Sequence, residues 1–281
     1  NFNLDKDSLF KTPGKSLALF KDLNLDDIFF KYGIRLNRNI IEDMYCAPIV
    51  LAKGQNNESE YVPIPFSYYP LSRPIQNNVI GKGNSEIILR FPISIDTLRN
   101  NLDKEILIKS SKLSRVKKIP FLISLEESIS SFSPSDFKTE SKFLGVLIKG
   151  LFESAFKNKI RPGKITESKL ENGKSAIIVI GDGELAENQI EQNAPLELGY
   201  DKWTNNFYSN KSFLNDCVHY LMKNESLLKI KNKETNIGLL NESKVSINGL
   251  FWKIFMLVII PVFVYIICFI GIMNRKIKFS K

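Results

Sequence analysis

Residues 175–188, SAIIVIGDGELAEN, decide how the rest of the chain is interpreted, because a run of apolar residues ends there in glycines and carboxylates. The apolar run predicts a buried strand over residues 176–181, and the residues after Gly183 predict the start of a helix. Glycine permits a tight turn, and an acidic side chain complements the N-terminus of a helix. The stretch therefore predicts the bend between a central strand and a helix in an α/β fold.

The same turn offers candidate ligand contacts. A strand end followed by a helix N-terminus gathers free backbone N–H groups, which can bind an anion. The spacing is not that of a phosphate-binding loop, however, and two carboxylates in one turn are fewer ligands than calcium takes. We therefore predict a structural turn without a metal or a cofactor, in which Asp182 and Asn188 act as capping or ligand-contact residues. The candidate residues of this turn are Gly181, Asp182, Gly183, Glu184 and Asn188.

Strand and helix patterns alternate along the rest of the chain. Further strands are predicted at residues 47–52, 86–91, 105–110 and 121–125. Helices are predicted over residues 24–33, 142–159 (KFLGVLIKGLFESAFKNK) and 211–223 (KSFLNDCVHYLMK), of which the last is expected to have one apolar face. That face contains Phe213, Leu214, Cys217, Val218, Leu221 and Met222. In the predicted helix over residues 142–159, apolar residues recur at three- and four-residue steps, so we expect it to pack one face on the sheet. The combination predicts the α/β class, with antiparallel strands allowed at an edge.

The chain ends in a membrane-spanning pattern. Residues 254–273, IFMLVIIPVFVYIICFIGIM, carry no charge, and at about 1.5 Å per residue they are long enough for a hydrocarbon layer of about 30 Å. Pro261 predicts a kink, and a basic tail follows. By the positive-inside rule that tail is cytoplasmic. The prediction is an extracytoplasmic domain at 1–250, a transmembrane helix at 251–273 and a basic cytoplasmic tail at 274–281, in the inner membrane. A buried core helix is the alternative.

Composition and the N-terminus add two expectations. The net charge of the 281-residue chain is +9, but the lysines are interspersed with carboxylates, so we predict no nucleic-acid partner. No export signal is recognisable near Asn1, which predicts that natural sequence precedes it.

The cysteines and the histidine do not predict a catalytic centre. Cys217 and His219 lie two residues apart on one predicted helix, so their side chains diverge. Cys217 falls on the apolar face, and His219 falls on the polar side, where a surface imidazole is predicted. Cys46 precedes a strand and could meet His219 only through the fold. A disulfide between Cys46 and Cys217 is left open. We predict no catalytic residue.

Seven segments resemble, in order and spacing, the C-terminal half of the gliding-motility-associated ABC transporter substrate-binding proteins (GldG) of the Bacteroidota. They are LNLDDIFFKYGIRLNRNIIEDMYCAPIVL, PFSYYPL, FPISIDTL, LGVLIKGLFESAFKNK, IVIGDGELAEN, PLELGYDKWTNNFYSNKSFLNDCVHYLM and the terminal apolar segment. The resemblance implies an extracytoplasmic domain similar to class I glutamine amidotransferase-like folds. It also implies association with an ABC permease and an ATPase, and a role in gliding motility.

The leading hypothesis is a non-enzymatic, membrane-anchored component of an ABC transporter. Its candidate partner contacts are Tyr200, Asp201 and Trp203, and an exposed aromatic patch around Trp203 or around PIPFSYYPL, residues 63–71, would favour binding. The alternative is a membrane-tethered cell-envelope hydrolase or amidotransferase, which would need Cys46, His219 and a carboxylate to lie together. No motif defines the transported substrate.

Overall fold

The structure is a computed structural model, and it describes residues 2–53, 60–129, 134–137, 140–157, 159, 171–231, 249 and 253–279. The chain divides into two compact units, Asn1–Lys233 and Glu234–Lys281. The first unit holds all the strands described below. The second contains the apolar C-terminal segment.

The first unit is a mixed α/β structure in which short helices are placed between strands. Its strands are β1 (Phe2–Asn3), β2 (Lys15–Phe20), β3 (Ile34–Leu36), β4 (Asn39–Asp43), β5 (Cys46–Lys53), β6 (Glu60–Ser72), β7 (Ile87–Ile88), β8 (Ile95–Thr97), β9 (Asp103–Lys109), β10 (Ser114–Lys118), β11 (Phe121–Ser124), β12 (Phe143–Glu153), β13 (Asn172–Ile180), β14 (Ile190–Glu191), β15 (Ala194–Pro195), β16 (Tyr200–Asp201) and β17 (Asn206–Phe207). Its helices are α1 (Lys6–Phe10), α2 (Asp26–Lys31), α3 (Leu125–Ile129), α4 (Asn210–Leu221) and α5 (Glu225–Lys231).

The strands form several small sheets. Three have three strands each, in the orders β1-β2-β11, β5-β6-β7 and β13-β12-β9, and the other pairs are β10-β4, β3-β8, β14-β15 and β16-β17. Every pairing among the described strands is antiparallel. Antiparallel pairing is therefore general in the described part of this unit, whereas the sequence suggested it only for an edge.

The prediction of a helix over residues 142–159 is wrong, because Phe143–Glu153 is strand β12. This strand lies between β13 and β9 and is buried on both faces, so its apolar residues form a nearly continuous run. Such a run also satisfies the three- and four-residue spacing of a helix. Two glycines were the missed signal: a Cβ at Gly145 would lie 2.9 Å from Ile108 Cδ1, and Gly150 has a φ of +144°.

Most of the other predicted strands are confirmed. Residues 47–52 lie in β5, residues 105–109 in β9, residues 121–124 in β11 and residues 176–180 in β13. The predicted strand at residues 86–91 is shorter, because only Ile87–Ile88 pairs, with the end of β6. Strand β13 is at the edge of its described sheet and is not central.

The predicted helices at residues 24–33 and 211–223 are confirmed as α2 and α4, but the apolar face of α4 is less buried than predicted. Helix α2 ends before Gly33, whose φ of +80° ends the helical conformation. Helix α4 buries Phe213 and Cys217 as predicted. The predicted apolar face is only partly buried, since Val218 and Met222 are 52% and 64% exposed. The predicted helix after Gly183 is a single 3₁₀ turn, Glu184–Ala186.

Among the described residues of the first unit, the core consists of three apolar clusters. One contains residues of β12 and β9 packed against α4. The second joins α1 and β6 through aromatic rings and includes Ala18 of β2, and the third covers the opposite side of β12 near α2. Two ion pairs with a buried carboxylate connect elements around these clusters: Arg115 of β10 binds Glu42 of β4, and Lys231 of α5 binds Asp216 of α4. Their carboxylates are 1% and 2% exposed, so neither could lose its partner without cost.

The second unit contains a long apolar helix. A π-helical turn, Phe255–Ile259, is followed by α6, Ile260–Phe279. The irregular turn precedes Pro261, which has no N–H to donate to the preceding turn. Residues 257–279 are long and apolar enough to cross a membrane, judged by length and composition. The helix continues to Phe279 and so includes most of the predicted tail; Lys281 lies outside the described residues.

Candidate functional site

A cleft of about 610 Å³ opens on the first unit. One wall is formed by β5 and by α1, and the opposite wall by the segment after β13 and the β16-β17 hairpin. Its lining residues include Lys6, Phe10, Ile49, Leu51, Tyr69, Arg90, Glu184, Asn188, Ile190, Asp201, Lys202 and Trp203. The volume is in the usual range of small-molecule sites, roughly 300–1,000 Å³.

Asp182 fixes one side of this cleft from within the protein. It is 8% exposed, and its two carboxylate oxygens accept hydrogen bonds from Arg90 N at 2.8 Å and Glu184 N at 2.7 Å. Burial raises the pKa of Asp182 to about 7, against the opposing effect of these two hydrogen bonds. Asp182 therefore accepts the N–H of Glu184, the first residue of the 3₁₀ turn, in which Gly183 holds the N-cap position, and it also binds the backbone of a segment ninety-two positions away.

The other candidate residues of the turn make separate contacts with the rest of the protein. The backbone of Gly181 lies so close to Ile93 that a Cβ would be 2.2 Å from Ile93 O, whereas a Cβ at Gly183 would meet open space. Glu184 forms an ion pair with Lys6, in which Oε2 and Nζ are 2.5 Å apart. Asn188 donates through Nδ2 to Leu196 O at 2.6 Å.

The β16-β17 hairpin forms the rim of the cleft. The carboxylate of Asp201 is 8% exposed and accepts hydrogen bonds from Gln189 Nε2, Trp203 N and Thr204 Oγ1. The Tyr200 ring packs on Phe207, with centroids 4.6 Å apart. Trp203 in the tip is 63% exposed. Of the three candidate partner contacts, Trp203 presents a large apolar surface to solvent, while Asp201 shapes the turn.

The floor of the cleft carries two polar groups, Arg90 and Tyr69, of which the sequence indicated only the aromatic stretch PIPFSYYPL that contains Tyr69. Arg90 follows β7, and its guanidinium carbon is 5.9 Å from the centroid of the Tyr69 ring. Tyr69 belongs to β6 and packs edge-on against Phe66 and Phe91. A charged residue at the end of the apolar run EIILRF was the available signal for Arg90. No pattern in the sequence places it beside residues 182–203.

Comparison with known proteins identifies the family. A family model described as "ABC-type uncharacterized transport system" matches residues 1–217 of the 281. The chain belongs to this family of ABC transport auxiliary proteins. No curated protein and no solved structure matches the chain. Membership implies association with components of an ABC transporter, and together with the apolar helix at 257–279 it is consistent with anchoring in a membrane.

The part of the chain matched to the ABC transport family contains the whole cleft. The two candidate groups of the sequence, the turn at 181–188 and the residues 200–203, meet there: Glu184, Asn188, Asp201 and Trp203 all line it. Tyr200 lines a smaller adjoining depression of about 10 Å³. Predictions made for two separate stretches thus converge on one surface.

The thiols of this family member have the properties of structural cysteines. Cys46, Cys217 and Cys268 are all free, so the structure does not contain the disulfide that the sequence left open. Burial raises the pKa of Cys46 to about 11 and that of Cys217 to about 12, which is the opposite of activation. The buried Nδ1 of His219 has no hydrogen-bond partner among the described residues, so this imidazole is not the surface group that the sequence suggested. Within the described ranges, no group of three or more His, Cys, Asp or Glu side chains could hold a metal ion.

Proposed function

We propose that the protein is a non-enzymatic, membrane-anchored auxiliary or substrate-binding component of an ABC transporter associated with gliding motility. The observation that supports this most is the combination of family and anchor. One chain carries residues 1–217 of an ABC transport auxiliary protein and, after them, an apolar helix at 257–279. The first unit is then extracytoplasmic, and the helix contacts the permease, which acts with an ATPase subunit.

A binding role agrees with the chemistry of the cleft. Its carboxylates are held by donors of the protein, and its rim presents an exposed tryptophan, a residue type enriched where proteins bind partners. The raised thiol pKa values supply no nucleophile for the alternative, a membrane-tethered hydrolase or amidotransferase. The amidotransferase-like fold implied by the resemblance stays a prediction, and the proposed function does not depend on it.

Affinity purification from the native membrane in mild detergent tests the association. We expect an ABC ATPase and a polytopic permease to be recovered in constant ratio. The variant Trp203→Ala should lower their recovery if the hairpin is the partner contact. Tyr61→Ala is the matched control, because Tyr61 is 72% exposed and does not line the cleft.

Recovery of the protein alone, under conditions that preserve other membrane complexes, would contradict the proposal. The motility role is tested separately, by measuring colony spreading of a gliding strain that lacks the gene. Normal spreading together with a stable transporter complex would remove gliding from the proposal and leave the transporter role.

A further inference from the structure

Most of the charged side chains in the cleft have an ion-pair or hydrogen-bond partner within the protein. Lys6 forms ion pairs with Glu184 and, at 3.9 Å, with Glu187. Lys202 donates through Nζ to Ile190 O at 2.9 Å and lies 5.1 Å from the centroid of the Trp203 ring. Asp201 accepts three hydrogen bonds. Lys6, Lys202 and the buried Asp201 thus already have partners within the protein.

Arg90 is the exception among these cations. Its backbone N–H binds Asp182, but its guanidinium forms no ion pair and no hydrogen bond with any residue that the structure describes. The side chain is only partly exposed; it lies over the face of Tyr69, and its charge also acts on the carboxyl of Asp182 without forming an ion pair. A guanidinium offers five N–H donors in a planar fork that matches a carboxylate. Arg90 therefore brings one positive charge and unused donors to the floor of the cleft.

Tyr69 adds a second unused donor beside it. Its hydroxyl forms no hydrogen bond with the described residues, although buried tyrosine hydroxyl groups usually have a partner. Burial raises its pKa well above the usual range, and the charges of Arg90, Glu184, Asp182 and Asp201 all reach it. The hydroxyl thus stays protonated at neutral pH and can donate.

The surroundings favour a singly charged, amphipathic ligand. Ile49, Leu51 and Ile190 line the cleft together with Trp203, so an apolar group can be buried next to the two donors. Glu184, Glu187 and Asp201 also line the cleft and would repel a dianionic phosphate more strongly than a carboxylate. One unpaired guanidinium balances one negative charge.

We propose that the Arg90 guanidinium and the Tyr69 hydroxyl bind the carboxylate of an amphipathic monocarboxylate whose apolar part packs on Ile49, Leu51 and Trp203. This inference rests on the proposed substrate-binding role and assigns a chemical class to the ligand. A carboxyl-terminal apolar peptide is the probe form that fits a cleft of this size.

The test measures binding of N-acetyl-Leu-Phe and of its carboxamide to the 281-residue chain in lipid nanodiscs, by saturation-transfer NMR. We expect the acid to bind at least about tenfold more tightly than the amide, because a hydrogen-bonded charge pair is lost in the amide. Arg90→Met should reduce binding of the acid to the level of the amide, and Tyr69→Phe should weaken it less. Arg99→Met removes the same charge at an exposed position outside the cleft and should change nothing.

The variant keeps the fold because the N–H of residue 90 still binds Asp182, and circular dichroism checks this. Equal affinity for acid and amide, absence of binding by both, or unchanged binding by Arg90→Met would each overturn the inference. Tighter binding of phenyl phosphate than of the acid would also overturn it. Copurification of permease and ATPase with the unchanged protein is measured in parallel. If that protein retains its partners but fails to bind the probe, only the ligand class is refuted, whereas absence of the partners refutes the proposed function.

Discussion

The ionisation of Asp182 gives the sharpest prediction for stability. In the folded chain, burial raises the pKa of this carboxyl from 3.8 to about 7. A raised folded-state pKa means that the folded state binds the proton more tightly than the unfolded state. The resulting stabilisation is complete below the unfolded pKa and is lost as the pH rises through the folded pKa. Stability should therefore fall between about pH 4 and about pH 7 and level off above.

The magnitude follows from the size of the shift. A difference of about three pKa units corresponds to at most about 4 kcal/mol in the free energy of unfolding. Between about pH 5 and about pH 8, the loss from this one group is about 2–3 kcal/mol. Asp182→Asn has no such titration, and its amide resembles the protonated carboxyl in offering one good acceptor. The advantage of the variant over the wild type should grow by about 2–3 kcal/mol across this range.

Urea unfolding of the chain in nanodiscs, followed through the fluorescence of Trp203 in a Trp252→Phe background, measures both proteins at each pH. Comparing the two curves removes the titrations of all other groups. Parallel curves would refute the reasoning, because they would show that Asp182 is ionised in the folded state throughout. The hydrogen bonds from Arg90 N and Glu184 N would then outweigh the cost of burial.

Two further predictions concern the turn and the thiols. Gly181→Ala should destabilise the protein by about 1–3 kcal/mol, because the added Cβ would meet Ile93 O. The matched control Gly183→Ala should change the free energy of unfolding by no more than about 0.5 kcal/mol. Equal effects of the two variants in thermal unfolding would show that the close approach at Gly181 is not needed. Cys46 and Cys217 should react with iodoacetamide at about pH 8 at least about a hundredfold more slowly than free cysteine until urea unfolds the chain. Mass spectrometry measures the labelling of each thiol over time. Fast labelling of either thiol in the native protein would instead indicate an activated cysteine.

The sequence predicted the elements whose pattern is local. Strand β5, strand β13 and helix α4 each carry their own boundary signals, such as the Gly183 turn after β13. Strand β12 was mistaken for a helix because burial on both faces removes the alternation that marks a half-buried strand. Its identity depends on β9 and β13, whose pairing cannot be seen from the segment itself.

The candidate site was predicted in pieces for the same reason. Asp182 and Trp203 were recognisable from nearby glycines, carboxylates and aromatic residues. Arg90 was not, because it reaches the cleft through contacts between segments far apart in the chain, such as the hydrogen bond from Arg90 N to Asp182. A short-range pattern can indicate a turn, but the chemistry of a cleft depends on which distant side chains the fold brings to it.

The convergence of the two predicted groups has a consequence for the transporter role. Trp203 is both an exposed residue of the hairpin tip and a lining residue of the cleft. A partner protein that covers Trp203 would therefore also cover part of the entrance to the ligand site. Loss of function in Trp203→Ala could then arise from either contact, whereas Arg90→Met changes the floor of the cleft without altering the rim. Comparing the two variants separates ligand binding from partner binding. If both variants reduce probe binding but only Trp203→Ala reduces recovery of the permease, then Trp203 contacts both the ligand and the partner, whereas Arg90 contacts the ligand alone.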